Sequence, residues 1–185
     1  MKRINPLPSC FAAFLLLAPT ASFAQSPVEP VRRNTFFLEL GGNAWFYSLN
    51  YDRILLDRDK WKLSGRVGAM YVPSFRAVDR HMVGVPLEIS YLRGRDRHFL
   101  EMGLGVTATY DTYPLSDTRI RELAVMGVAR IGYRYQKPEG GFFFKTGFTP
   151  MAGLVYDLRY RIRGTNVNSA FAYPLVGLAV GHTLK

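Results

Sequence analysis

The stretch Phe99-Leu100-Glu101-Met102-Gly103-Leu104-Gly105-Val106-Thr107-Ala108-Thr109-Tyr110 decides the fold. Leu100, Met102, Leu104, Val106, Ala108 and Tyr110 fall on one side of an extended chain. Phe99, Glu101, Gly103, Gly105, Thr107 and Thr109 fall on the other. Alternation with period 2 is the mark of a β-strand whose two faces meet different surroundings. Here one face is apolar and the other is small or polar.

The same alternation runs outward along the chain in both directions. Val125, Ala129, Ile131, Tyr133 and Tyr135 oppose Met126, Val128, Arg130, Gly132 and Arg134; Phe142, Phe144, Thr146 and Phe148 oppose Phe143, Lys145, Gly147 and Thr149. Leu63, Val67 and Tyr71 oppose Lys62, Ser64, Arg66 and Gly68, and Val85, Leu87, Ile89 and Tyr91 oppose Pro86, Glu88 and Ser90. Thr35 to Gly42, Tyr47 to Leu56 and Phe171 to Leu184 bring the number of expected strands to eight. Their connections alternate too. Short polar turns are expected at Asp57 to Lys60, Arg93 to Asp96 and Lys137 to Gly141, and longer loops at Ser74 to His81, Asp111 to Arg121 and Asp157 to Ala170. The first hairpin must turn tightly, at Gly42-Asn43. Short turns alternating with long loops are the pattern of an eight-stranded antiparallel transmembrane β-barrel, and that all-β class is the expectation.

A soluble barrel hides its apolar face, whereas a membrane barrel turns it outward and keeps polar groups inside. The polar faces carry Glu39, Asn50, Asp52, Lys62, Arg66, Glu88, Glu101, Arg130, Arg134 and Lys145, with both signs mixed. An eight-stranded barrel is just wide enough for side chains to fill it. A charge network of Glu39, Asp52, Arg66, Glu88, Glu101, Arg130 and Lys145 is therefore expected to close the lumen. Gly68, Gly103 and other glycines on these faces would make room for the long side chains. Aromatic girdles are expected at the strand ends: Trp61, Phe99, Tyr133, Tyr135 and Phe142 on the short-turn side, and Trp45, Tyr71, Tyr110, Phe171 and Tyr173 on the loop side.

Composition agrees with one domain. The chain has 185 residues, 48% hydrophobic and 14% aromatic, with 24 Lys and Arg against 14 Asp and Glu. Such a balance excludes a disordered basic arm for nucleic acid. At the N-terminus, Lys2 and Arg3 precede the apolar run Cys10 to Ala18, and Ser22-Phe23-Ala24 offers small residues where a signal peptidase cuts. Residues 1–24 are thus expected to be a cleaved signal peptide, 25–34 a short lead and 35–185 the barrel. Cleavage would remove Cys10, the only cysteine, so no disulfide framework is expected.

Leu38-Glu39-Leu40-Gly41-Gly42-Asn43, Tyr47-Ser48-Leu49-Asn50-Tyr51-Asp52-Arg53, Gly132-Tyr133-Arg134-Tyr135 and Gly141-Phe142-Phe143-Phe144-Lys145-Thr146-Gly147-Phe148-Thr149-Pro150 resemble a family of small bacterial outer-membrane β-barrel proteins of the OmpA/OmpX-like, eight-stranded type. The resemblance implies the barrel fold, a place in the outer membrane of a Gram-negative cell and insertion by the barrel assembly machinery. It implies no catalytic residue and no cofactor. One departure is the ending His182-Thr183-Leu184-Lys185, where such chains often finish on an aromatic residue.

Chemical motifs are few. Gly103-Leu104-Gly105-Val106-Thr107-Ala108 matches a dinucleotide fingerprint but lies inside a strand, where the fingerprint needs a strand-to-helix loop. His81, His98 and His182 lack metal-ligand spacing, so no metal is expected. A lipid A deacylase-like enzyme on the same barrel is the alternative to a non-catalytic envelope role. It would need a Ser/His/acid set near the outer leaflet, yet Ser169 and His182 belong at opposite ends of one strand. The partners expected are outer-membrane lipid and lipopolysaccharide. Arg159, Arg161 and Arg163, spaced to point one way along an extended segment, are the expected contacts to lipid phosphate.

Overall fold

The computed structural model describes residues 34–73, 80–115, 118–157 and 168–184. They form eight strands: β1 (Asn34–Gly41), β2 (Tyr47–Arg58), β3 (Trp61–Val72), β4 (His81–Arg95), β5 (His98–Leu115), β6 (Thr118–Gln136), β7 (Gly141–Asp157) and β8 (Asn168–Thr183). Each pairs antiparallel with its sequence neighbour, and β1 pairs with β8 to close the barrel. Closure satisfies the backbone all round and leaves no sheet edge exposed. The expected signal peptide and most of the lead lie outside the described residues.

Turn chemistry sets one end. Asp96 takes a positive φ of 60° between β4 and β5, and Gly140 and Gly141, at 85° and 103°, reverse the chain between β6 and β7. An extra residue near Leu55 bulges β2 against β3, so Leu55 and Leu56 both face outward. At the other end β1 and β2 are joined by a 3-10 turn, Gly42–Ala44, that folds into the barrel and is wholly buried. The tight turn expected there is present, but it points inward.

The other loop-end expectations need correction. Asp111 to Arg121 is no loop: β5 runs on to Leu115, β6 begins at Thr118, and the ladder stays in register to Leu115 and Thr118. Asp, Pro and Ser are turn formers in isolation, but Thr112 and Tyr113 favour strand and here each hydrogen-bonded rung extends the last. His81 likewise belongs to β4, and Asn168 to Ala170 belong to β8. At the turn end, Arg93 to Arg95 continue β4 and only Asp96 and Arg97 turn.

Alternation sorts the side chains as period 2 demands. Leu100, Met102, Leu104, Val106 and Tyr110 of β5 face outward and are exposed, as are Leu38 and Leu40 of β1, Leu87 and Ile89 of β4, and Val176 to Val180 at even positions of β8. On β5 this apolar band runs from Leu100 to Tyr110, roughly 25 Å high for strands tilted by about 40°. Past it the outward residues become polar, with Arg121 opposite Thr112 and Arg119 opposite Pro114.

The interior is layered. Toward the turn end, inward side chains form two apolar clusters, Phe37 with Phe143 and Ala179, and Ile54 with Leu92 and Phe99. Toward the loop end lie Ala44, Met70 and Met82, and beside them Met126, Val128 and Met151 with Trp45 packed on top. Charged and amide side chains fill the layer between. Three expected girdle residues therefore sit elsewhere. Phe99 is buried in the turn-end cluster, Trp45 lies over the loop-end cluster, and Tyr173, on the inner face by its pairing with Met151, meets Trp45 edge-on at 4.8 Å. Each occupies an odd, inward position on its strand or a turn that folds inward.

Candidate functional site

Four carboxylates (Glu39, Asp52, Glu88, Glu101) and four cations (Arg66, Arg130, Arg134, Lys145) occupy the middle layer, all buried. They come from β1 to β7, brought together because each lies at an inward position of its strand. Arg130 spans two carboxylates, with Nη2 2.5 Å from Glu39 and Nε 3.1 Å from Glu88. Arg66 pairs with Glu39 and lies 3.6 Å from Glu88. Arg134 donates through Nη2 to Asp52 and Glu101, both at 2.9 Å, and Lys145 lies 3.2 Å from Glu101 and 3.6 Å from Glu88. The seven residues expected on sequence grounds are thus brought into one assembly, and Arg134 is its eighth member. With it, positive and negative charges balance. An unbalanced buried charge would carry a desolvation cost of several kcal/mol, so neutrality is the condition for such a layer to persist.

Aromatic rings support the cations from the turn-end side. The Phe37 ring carries both the Arg66 guanidinium, at 5.2 Å, and the Lys145 ammonium, at 4.9 Å, and Phe143 carries Arg134 at 5.4 Å. A ring face attracts cations and shuts out water together. Phe37 and Phe143 are therefore part of the network.

The inward turn closes it from the other side. Asn43 donates through Nδ2 to Glu88, accepts from Arg130 Nη2 at Oδ1 (2.9 Å), and accepts the Thr107 hydroxyl on its carbonyl (2.8 Å). To reach this position the chain takes positive φ at Gly41, Gly42 and Trp45, 67°, 60° and 64°. That conformation suits glycine and is a steric outlier for tryptophan, so packing of the indole and its N–H bond to the Met126 sulfur (3.1 Å) must hold it. Asn50 braces Arg66 through its Oδ1 at 2.9 Å. A Cβ at Gly68 would stand 2.1 Å from that oxygen, and one at Gly103 would crowd Ser90 and Glu88. Nearer the turn end, Gln136 donates to Thr35 at 3.0 Å, beside the Thr35 and Thr183 hydroxyl pair. Asn43 was not legible as a partner because a turn residue carries no sign of folding inward, and Thr107 and Gln136 were not because the face of a strand does not say which group a side chain meets.

A second, smaller cluster stands at the loop-end rim, beyond the apolar band. Arg80 donates through Nε to Asp111 at 2.7 Å and lies over the Tyr113 ring, whose hydroxyl donates to Glu122 at 2.8 Å. The hydrogen bond to Asp111 raises the Arg80 pKa, and partial burial and the bond to Glu122 push the Tyr113 hydroxyl up to about 12.

The remaining sequence candidates separate. Gly103 and Gly105 lie within β5, with no helix following. Ser169 pairs with Val155 near the loop end of β8, and His182 pairs with Phe36 near its turn end, facing outward. His81 lies beside Tyr71, and His98 beside Tyr133. Among the described residues no group of His, Cys, Asp and Glu has metal-site geometry. Arg159, Arg161 and Arg163 lie outside the described residues. Comparison with known proteins supplies no relative: no family model, curated protein or solved structure matches the chain.

Proposed function

We propose that this chain is a non-catalytic integral outer-membrane β-barrel protein of a Gram-negative envelope, exported by a cleaved signal peptide, with a structural or surface-interaction role and a lumen closed by side chains. One observation carries the reading: the polarity of the barrel is inverted, with leucine, valine, isoleucine and phenylalanine exposed around the outside and eight balanced charges sealed inside. Monomers in water rarely expose apolar patches beyond a few hundred Å². A belt around a whole barrel is a far larger liability in water, and lipid tails remove it. The band height of roughly 25 Å suits an outer membrane, and closed strands are one of the two backbone arrangements that can cross a bilayer. The resemblance to small outer-membrane barrels points the same way. In this reading the protein is inserted by the barrel assembly machinery, lies among lipid and lipopolysaccharide, and offers Arg159, Arg161 and Arg163 to lipid phosphate at the loop end.

The test is insertion. Purified full-length chain refolded into lipid vesicles is expected to resist SDS until boiled, so unheated and boiled samples migrate differently on a gel. Identical migration, with circular dichroism dominated by helix, overturns the reading. In planar bilayers the inserted protein is expected to give no steady conductance, because the charged layer lies between two apolar ones.

A further inference from the structure

At the turn end, arginines stand on the outer face of the barrel, in register with the apolar band. Arg58 of β2 pairs directly with Trp61 of β3, which pairs directly with Arg93 of β4. Directly paired residues in an antiparallel sheet project from the same face about 5 Å apart, so Trp61 stands between two guanidiniums. Arg95, two residues beyond Arg93, projects the same way. All three arginines are exposed, and among the described residues none of them takes part in an ion pair. Asp57, next to Arg58 in the chain, is taken by Lys62, and Asp59 and Asp96 occupy the turns, against the further cations Lys60 and Arg97. Trp61 stacks on Tyr91 with ring centroids 5.8 Å apart. Leu100 pairs directly with Arg93, and from there toward the middle of the strands the same face continues apolar through Met102 and Ile89.

We infer that this face is a binding site for an anionic glycerophospholipid, with the headgroup phosphate held by Arg58, Arg93 and Arg95, and the acyl chains laid over Ile89, Leu100 and Met102. Along the strands the cations share a rung with Trp61, Tyr91 follows at the next outward position and aliphatic side chains lie beyond, which is the order along such a lipid from headgroup to tail. Guanidinium grips phosphate oxygens through paired, charge-assisted hydrogen bonds, and aromatic rings suit the interface between headgroup and hydrocarbon. Among the described residues Arg58, Arg93 and Arg95 have no carboxylate partner, and a zwitterionic lipid offers a phosphate already offset by its own ammonium. The inference rests on the membrane-inserted reading above.

The experiment compares phosphatidylglycerol with phosphatidylcholine as probes on the folded full chain in mild detergent, counting retained lipid by native mass spectrometry. The wild type is expected to retain phosphatidylglycerol over phosphatidylcholine by roughly tenfold, in keeping with surface attraction of juxtamembrane cations for anionic lipid. The triple variant R58Q/R93Q/R95Q should fall to near parity, R58K/R93K/R95K should keep most of the preference, and Arg121→Gln, at the other end, should leave it unchanged. Folding of each variant is checked by its heat-dependent gel shift. Should the triple glutamine variant not fold, Arg93→Gln alone is expected to lose part of the preference. No wild-type preference, or unchanged retention in the glutamine variants, overturns the inference. So does stoichiometric displacement of the lipid by inorganic phosphate, which would reveal a simple anion site. A chain that inserts into vesicles but shows no preference sinks only the lipid assignment, whereas a chain that never inserts sinks the membrane reading and this inference together.

Discussion

The molecule carries two clusters of the same chemistry in opposite surroundings. In the middle layer Arg134 and Glu101 are fully shielded, whereas at the loop-end rim the Arg80 side chain is 49% exposed while it pairs with Asp111. Both use arginine, carboxylate and an aromatic ring. The difference lies in what happens when one member is removed. At the rim, water reaches the Arg80 guanidinium although Asp111 itself is only 7% exposed; in the lumen, Phe37 and Phe143 on one side and the inward Asn43 turn on the other keep water from both partners. The same ion pair is thus a minor brace in one place and a condition of folding in the other.

The largest expected effect tests that claim in the lumen. Glu101→Ala leaves Arg134 with Asp52 as its one ion-pair partner and Lys145 with Glu88 at 3.6 Å, and is expected to cost roughly 3–5 kcal/mol. The measurement is reversible urea unfolding of the refolded protein, and a loss below about 1 kcal/mol would show that water enters the layer and the two clusters are alike. Asn43→Ala removes one donor and one acceptor that serve charged partners and should cost roughly 1.5–3 kcal/mol in the same assay. If it costs nothing, the inward turn is not the upper seal.

At the rim, the paired substitution Arg80→Gln with Asp111→Asn is expected to cost about 1 kcal/mol or less, since the Arg80 side of the pair is open to solvent and the two amides replace both charges together. A loss as large as that of Glu101→Ala would erase the distinction. The smallest effect is on titration. Burial and the bond to Glu122 favour the neutral Tyr113 phenol, raising it from about 10 to about 12. Between those values the folded protein keeps a proton that the unfolded chain has lost, so this residue's contribution to stability falls as pH rises through that window. The tyrosinate absorbance of wild type minus Tyr113→Phe should titrate near the upper value; titration at the ordinary value would place Tyr113 fully in water.

Much of this was legible in the chain. Alternation from Phe99 to Tyr110 and its counterparts gave strands, faces and the sign of each face, because period 2 is a local consequence of extended backbone. Glu39, Asp52, Arg66, Glu88, Glu101, Arg130 and Lys145 were legible as an inward set for the same reason. The Asp111 to Arg121 hairpin misled because turn-forming residues say nothing about a ladder already in register on both sides. Phe99 and Trp45 misled because an aromatic near a strand end suits a girdle and an inner seal equally; only its parity, or the direction of its turn, distinguishes them.

By itself, then, the sequence determined that there would be strands, roughly where each would lie, and that charge and hydrocarbon would separate across the wall. Those properties depend on neighbours one and two residues apart. Who pairs with whom was decided by tertiary structure alone. Arg130 of β6 meets Glu39 of β1 and Glu88 of β4, and Asn43 is folded onto Arg130 and Glu88, only once the barrel has closed with a particular stagger between strands. That stagger is a property of the whole ring, since a shift of any one pair must be absorbed by the other seven, and no local stretch of chain encodes it.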